Sequence, residues 1–326
     1  MAKRIVLADP RGFCAGVDRA ILTVQTILKA ASARVDGLPP VYVRRQIVHN
    51  RHVVEDLAAQ GAVFVQELAE IPDEAAAAGI PIVFSAHGVS PQVKAEAARR
   101  GMHVVDATCP LVSKVHREVL RFVREGYEII YIGHRGHDEA VGVVGEDPVH
   151  VHLIEHEADV DSLDFRPEQK LVLLTQTTLS IDETAGTIAA LKCRFPWMKE
   201  PPSSDICYAT SNRQAAVKLV AEQSDSMVIV GSANSSNSVR LMEVAQEALE
   251  ERGRAHRVDD ANELDPSWFD GVEAVGISSG ASVPDELVAG VIEALRAQGF
   301  TDVSTVETIK ENMHFVLPAE LRRKPS

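Results

Sequence analysis

Asp106-Ala107-Thr108-Cys109-Pro110 closes the apolar run that begins at Met102 and places a cysteine directly before a proline that can open a helix. The N-terminal end of a helix carries unsatisfied N–H groups and partial positive charge, which favour a thiolate, the form of cysteine that ligates metal. Two other stretches echo it: RIVLADPRGFCAG around Cys14 and SSDICYATSNRQ around Cys207. The spacings, 95 residues from Cys14 to Cys109 and 98 from Cys109 to Cys207, predict three copies of one unit, each contributing one sulfur. Around each cysteine a helical period follows, then apolar runs alternate with helical ones, as in VYVRRQIV, IPIVFSA, YEIIYIGH, KLVLLTQ, SMVIVG and EAVGISS. Such alternation reads as small parallel α/β sheets. The links ELAEIP, EADVDSL and ANELDPSWF occupy the same place in each copy. The expected division is repeat 1 over residues 1–106, repeat 2 over 107–203, repeat 3 over 204–299, and a tail over 300–326 packing back on repeat 1. Gly37-Leu38-Pro39-Pro40 breaks the first helix, and ahead of Cys207 the polar stretch KEPPSSD stands where the other copies have a strand.

A chain of 326 residues has length for about two or three domains and for sizeable cores without staples. Its 45% hydrophobic and 25% charged content are those of a globular protein. No run of about 18 apolar residues suggests a membrane span. The apolar run after Met1-Ala2-Lys3-Arg4 is too short for a signal peptide and reads as a first strand, which makes the expected location cytoplasmic. A net charge of −14 argues against a general nucleic-acid or anionic-membrane surface, so an anionic substrate must be held by local groups. Four cysteines without a close pair give neither a disulfide framework nor a CxxC motif, which leaves metal ligand, nucleophile or core thiol open for each.

In parallel α/β units ligands gather at the carboxyl ends of the strands. Two sets of turns stand there at matching depths. His49, His137 and Ser235-Ser236-Asn237 follow their cysteines by 35, 28 and 28 residues; His87, Thr177 and Ser282 follow by 73, 68 and 75. A histidine after a strand is commonly a surface or satisfied core residue, and Ser-Ser-Asn-Ser alone is an ordinary N-cap signal. Small hydroxyl and amide residues opening a helix are also what anion capture by backbone N–H groups requires. His103, His116, His134, His150, His152 and His156 fall outside the matched positions and are read as structural; Cys193, between Lys192 and Arg194, has no counterpart and is read as a non-ligand. Structural zinc prefers four ligands in short paired spacings. An iron–sulfur cluster normally takes four thiolates, so three leave one iron open, which suggests catalysis.

The segments GFCAGVDRAI, QIVHNRHVV, FSAHGVSP, DATCPLVSKVH, GHRGHDEAVG, TQTTLSIDET, DICYATSNRQ, GSANSSNSVRL and GASVPDELV, in this order over nearly the whole chain, resemble the motifs of the LytB-type 4-hydroxy-3-methylbut-2-enyl diphosphate reductase family. That resemblance implies a trefoil of three pseudo-threefold-related α/β repeats around a central [4Fe–4S] cluster. It implies Cys14, Cys109 and Cys207 as cluster ligands and His49, His87, Ser235, Ser236, Asn237 and Ser282 as holders of the substrate diphosphate. Glu139 becomes the proton donor, with His137 and Thr177 assisting around the substrate hydroxyl. The implied reaction is reductive dehydroxylation to isopentenyl and dimethylallyl diphosphate, the last step of the methylerythritol phosphate route to isoprenoids, with the hydroxyl on the open iron and electrons from reduced ferredoxin or flavodoxin. The family motif often has proline where Asp138 stands, a departure that could loosen the loop beside Glu139. The competing expectations are a non-catalytic iron–sulfur sensor or electron carrier, which has no use for the ring of His, Ser, Asn and Glu, and a zinc or phosphate-binding enzyme without redox chemistry.

Overall fold

The computed structural model describes residues 3–31, 38–201 and 204–322. Gly37 of the expected break, residues 202–203 of KEPPSSD and the last four residues of the tail lie outside the described residues. The strands are β1 (Lys3–Asp9), β2 (Val41–Arg44), β3 (Ala62–Val65), β4 (Pro81–Phe84), β5 (His103–Asp106), β6 (Tyr127–Ile132), β7 (Val151–Ile154), β8 (Lys170–Thr175), β9 (Ser226–Val230), β10 (Arg254–Val258), β11 (Ala274–Ser279) and β12 (Phe300–Glu307). The helices are α1 (Ala15–Ala30), α2 (Arg51–Ala59), α3 (Asp73–Ala77), α4 (Pro91–Arg99), α5 (Pro110–Arg124), α6 (Asp138–Val144), α7 (Ile181–Arg194), α8 (Tyr208–Ala221), α9 (Ser236–Leu249), α10 (Asp285–Ala297) and α11 (Ala319–Arg322). The fold is α/β, with three parallel sheets among the described residues. No helix there is long and apolar enough to cross a membrane.

Contacts divide the chain into two compact units, one of Met1–Cys14, His49–Val53 and Cys207–Met313, the other of Ala15–Val48, Val54–Ile206 and His314–Ser326. The first holds a five-stranded sheet in the order β10-β9-β11-β1-β12. Alternation in β1 shows why its sequence reads as an unbroken apolar run. Ile5 and Leu7 pack on one face with Val288, Val291 and Leu295 of α10, while Val6 and Ala8 pack on the other with Val217 and Val220 of α8 and Leu241 and Val244 of α9. Both faces are covered, and each fully buried aliphatic side chain contributes roughly 1.5–3 kcal/mol.

The second unit holds a four-stranded sheet, β3-β2-β4-β5, and a three-stranded one, β7-β6-β8. In the latter, Ile129 and Tyr131 face Val115, Val119 and Phe122 of α5, whereas Ile130 and Ile132 face Leu191 of α7 and Phe195. The strand VYVRRQIV is shorter than its composition suggests: it stops at Arg44, since Arg45 takes φ 57°, outside the extended region.

All three sheets contain one kernel, β3-β2-β4, β7-β6-β8 and β10-β9-β11. Beside the last strand of each kernel lies the segment that leads to a cysteine. β5 pairs with β4 ahead of Cys109, and β1 pairs with β11 ahead of Cys14. Among the described residues ahead of Cys207 there is a single isolated bridge, Lys199 to Val172 of β8, and Pro201, two residues on, has no N–H to extend a ladder. The opening strand therefore lies in the sheet of residues 226–279, and β12 covers its other side from Phe300 to Glu307. The three links also share a local form. In each a 3₁₀ turn follows a kernel strand, and a carboxylate reaches back to a main-chain N–H: Glu70 to that of Glu67 (2.7 Å), Asp159 to that of His156 (3.1 Å) and Glu263 to that of Asp259 (2.7 Å).

Candidate active site

Each of the three matched cysteines stands at a helix start. Cys14 precedes α1, Cys109 is the N-cap of α5 with Pro110 at its first position, and Cys207 is the N-cap of α8. Proline fits there because its missing N–H would be unsatisfied in any case. All three are half-buried and outside any disulfide. The Cys207 sulfur accepts the N–H of Thr210 at 3.4 Å, the helix-terminus contact that favours a thiolate. Cys193, by contrast, is exposed on α7.

Within the first unit a chain of hydrogen bonds runs from one cysteine to another. The Cys14 N–H donates to the Ala281 carbonyl (3.2 Å), the Ala281 N–H donates to Asn237 Oδ1 (2.8 Å), Asn237 Nδ2 donates to Thr210 Oγ1 (3.5 Å), and Thr210 contacts the Cys207 sulfur. Asn237 thus sits between two matched cysteines, buried to 5% exposure. It belongs to the first turn of α9, whose N-cap Ser235 accepts the Ser238 N–H, and Ser236 is the first residue of that helix. Ser282 Oγ donates to the His49 carbonyl (3.0 Å). Cys14, Cys207, His49, Ser235, Ser236, Asn237 and Ser282 are all of this unit.

The second unit brings together Cys109, His87, His137, Glu139 and Thr177. The Cys109 N–H donates to the carbonyl of Ala86, next to His87. The His87 and His137 rings meet edge to face, 5.7 Å between centroids. His137 caps α6, its Nδ1 accepting the Glu139 N–H (3.2 Å), which places a proton on Nε2 of the neutral ring. Glu139 is 1% exposed. One carboxyl oxygen accepts the Thr177 N–H and the other the Thr177 hydroxyl, both at 2.8 Å. Burial dominates its protonation and lifts its pKa to about 7; the two Thr177 donors pull the other way, and the Asp205 carboxylate adds to the rise. A carboxyl so poised both gives and takes a proton near neutrality.

Asp138 is the first residue of α6. Its carboxylate is bonded to the Arg45 guanidinium, which also reaches Glu67 at 3.2 Å. Three of the histidines outside the matched positions have carboxylate partners: His116 with Glu146 (2.6 Å), His150 with Asp147 (2.9 Å) and His152 with Glu128 (2.7 Å). The sequence reading passed over Arg19, Lys114, Asp205, Thr210 and Arg213, whose side chains contact the cysteine turns or the residues leading into them. The signal for three of them was a basic residue five or six positions after each matched cysteine. Half-buried thiols outside any disulfide and backed by helix N-termini form a donor set that fits an iron–sulfur group.

The family model for the LytB protein matches residues 5–296. A 4-hydroxy-3-methylbut-2-enyl diphosphate reductase of Bifidobacterium longum (strain NCC 2705) is 84% identical over 99% of this chain and 94% of its own length. One from Nocardia farcinica (strain IFM 10152) is 53% identical over 98% of this chain and 92% of its own. Among solved structures, the E-1-hydroxy-2-methyl-but-2-enyl-4-diphosphate reductase from Plasmodium falciparum superposes with a TM-score of 0.91 at 36% identity, covering 98% of this chain and 97% of that one. A second, the (E)-4-hydroxy-3-methyl-but-2-enyl diphosphate reductase titled the terminal enzyme of the non-mevalonate pathway, has a TM-score of 0.61 at 30% identity, covering 90% and 99%.

Proposed function

The chain belongs to the LytB family, and from that membership we infer that it is the iron–sulfur oxidoreductase that removes the hydroxyl of 4-hydroxy-3-methylbut-2-enyl diphosphate, yielding isopentenyl and dimethylallyl diphosphate. The balance is substrate plus two electrons and two protons to product plus water. Cys14, Cys109 and Cys207 are the thiolates for the iron–sulfur group, and three of them suit a [4Fe–4S] cluster with one iron lacking a protein thiolate. When bound, that group supplies the electrons and a Lewis-acid iron to polarise the allylic oxygen.

The protein's own part is the proton and the anion. The observation that carries the reading is Glu139: buried, protonated up to about pH 7 and held at both oxygens by Thr177. It donates a proton to the departing oxygen, and the two Thr177 donors then stabilise the carboxylate left behind. His137 holds the N–H of Glu139 and so fixes the start of the helix that carries it. The diphosphate falls to His49, His87, Ser235, Ser236, Asn237 and Ser282. Support comes from the first turn of α9, where N–H groups and small polar side chains make the kind of end that binds phosphate. Reduced ferredoxin or flavodoxin is the proposed electron donor. Four cysteines outside any disulfide suit a reducing compartment, which supports the cytoplasm as the place of action.

The test is anaerobic purification with iron and acid-labile sulfide analysis, followed by turnover with a chemical reductant. Glu139→Gln should keep iron and sulfide at wild-type content and lose about 10²–10⁴-fold in turnover; normal turnover refutes the proton-donor role. Cys193→Ser should match wild type, and iron loss from it overturns the ligand assignment.

A further inference from the structure

Arg19, five residues after Cys14 and on α1, donates from Nη1 to the carbonyls of Ala107 (2.9 Å) and Thr108 (3.0 Å) and from Nη2 to that of Asp106 (3.5 Å). These are the three residues leading into Cys109. Lys114, five residues after Cys109 and on α5, lies 3.0 Å from Asp205 Oδ1, two residues ahead of Cys207. The other oxygen of that carboxylate accepts the Thr175 N–H at the end of β8 (3.2 Å). Arg213, six residues after Cys207 and on α8, donates to the Gly12 carbonyl from Nε (3.2 Å) and Nη2 (2.7 Å) and to that of Phe13 (3.3 Å), the two residues leading into Cys14. A cation on the helix behind each cysteine thus holds the turn ahead of another, and the order closes: from 14 to 109, from 109 to 207, from 207 to 14.

We propose that Arg19, Lys114 and Arg213 are positioning residues that aim the three thiolates at the iron–sulfur group, an inference that rests on reading Cys14, Cys109 and Cys207 as its ligands. For Cys14 and Cys109 the backbone is fixed from both sides. The cysteine N–H is tied to the end of a neighbouring strand's turn, at Ala281 and Ala86, while the preceding carbonyls are gripped by a guanidinium. With those peptide planes set, the side-chain torsion alone directs the sulfur. The planar fork of arginine suits this task, because it grips two or three carbonyls in one plane, which an ammonium cannot do. Arg213 is fully buried and paired to Glu311 at 3.1 Å. Arg100 supplies an internal contrast, since it grips the carbonyls of Leu68 and Ile71 and pairs with Asp73, with no cysteine following.

The experiment measures iron release to a ferrous chelator from the anaerobically loaded full chain, together with the electron paramagnetic resonance spectrum of the reduced form. Arg19→Met and Lys114→Met should release iron about tenfold faster than wild type, the size expected for loss of a group that orients metal ligands, and should broaden the spectrum. Arg19→Lys, which keeps the charge and loses the fork, should behave like Arg19→Met. Arg100→Met should release iron at the wild-type rate. Wild-type release from Arg19→Met, or equal acceleration in Arg100→Met, overturns the proposal while leaving the ligand reading in place. A wild-type chain that takes up no iron and sulfide overturns the ligand reading itself.

Discussion

Glu139 holds its proton above the usual carboxylate range because folding removes it from water, an effect the two Thr177 donors only partly offset. A carboxyl whose folded pKa, about 7, exceeds the ordinary 4.5 binds its proton more tightly in the native state. Stability is therefore undiminished below about pH 4.5 and falls as pH rises toward 7, and above that the penalty is complete at about 3 kcal/mol. Glu139→Gln cannot ionise and should melt above wild type at pH 8, with the difference shrinking toward pH 4.5. Melting curves recorded side by side decide it, and a difference that does not change with pH sinks the assignment. The same residue was legible in sequence only through its motif, since neither its burial nor its bond to Thr177, 38 residues away, leaves a local trace. Arg19 and Arg213 were less legible still. Their partners are carbonyls, which every residue has, at separations of 88 and 201 residues.

At the scale of the element, α6 shows how a departure from a motif is absorbed. Asp138 is its first residue, where a carboxylate is favoured by the helix terminus, and the bond to Arg45 ties it to the end of β2. Proline is also a natural first helical residue, and His137 already has the extended backbone, φ −65° and ψ 137°, that a following proline demands. Asp138→Pro should thus fold and keep its melting temperature within about 4 °C of wild type, roughly 1 kcal/mol for a chain this long. A larger fall means that the Arg45 pair is needed. Element types followed from hydrophobic period in most segments, yet the end of β2 did not, because the positive φ of Arg45 is set by its surroundings and not by residue preference. The three links behaved oppositely. Their shared acidic residues are the ones that reach back to close the 3₁₀ turns, so their likeness in sequence was likeness in structure.

For the whole molecule the period of nearly one hundred residues revealed three sheets but not how the chain's opening strand is used. We propose that the repeat over 204–299 borrows its cysteine strand from the start of the chain, with β1 completing the third kernel, as the pairing of β1 with β11 supports. No local pattern encodes this, because both faces of β1 are buried whichever sheet it joins, and its partners lie about 270 and 300 residues away. One consequence is that the tail's opening stretch, residues 300–313, is a structural part of the first unit. β12 pairs with β1 over its full length, from Lys3 to Asp9, and presents mostly exposed residues with Asp302 and Glu307 at the sheet edge. Charged edge strands of this kind block pairing with other chains. A chain ending at residue 299 should uncover an edge made of Ile5, Val6, Leu7 and Ala8, and should also leave the buried Arg213 without Glu311. An unpaired buried charge costs about 3–5 kcal/mol, a large part of a typical stability of about 5–15 kcal/mol. Size-exclusion chromatography and circular dichroism should find the shortened chain aggregated or unfolded. A shortened chain that stays soluble and melts with the full-length protein would show that β1 is secured by β11 alone.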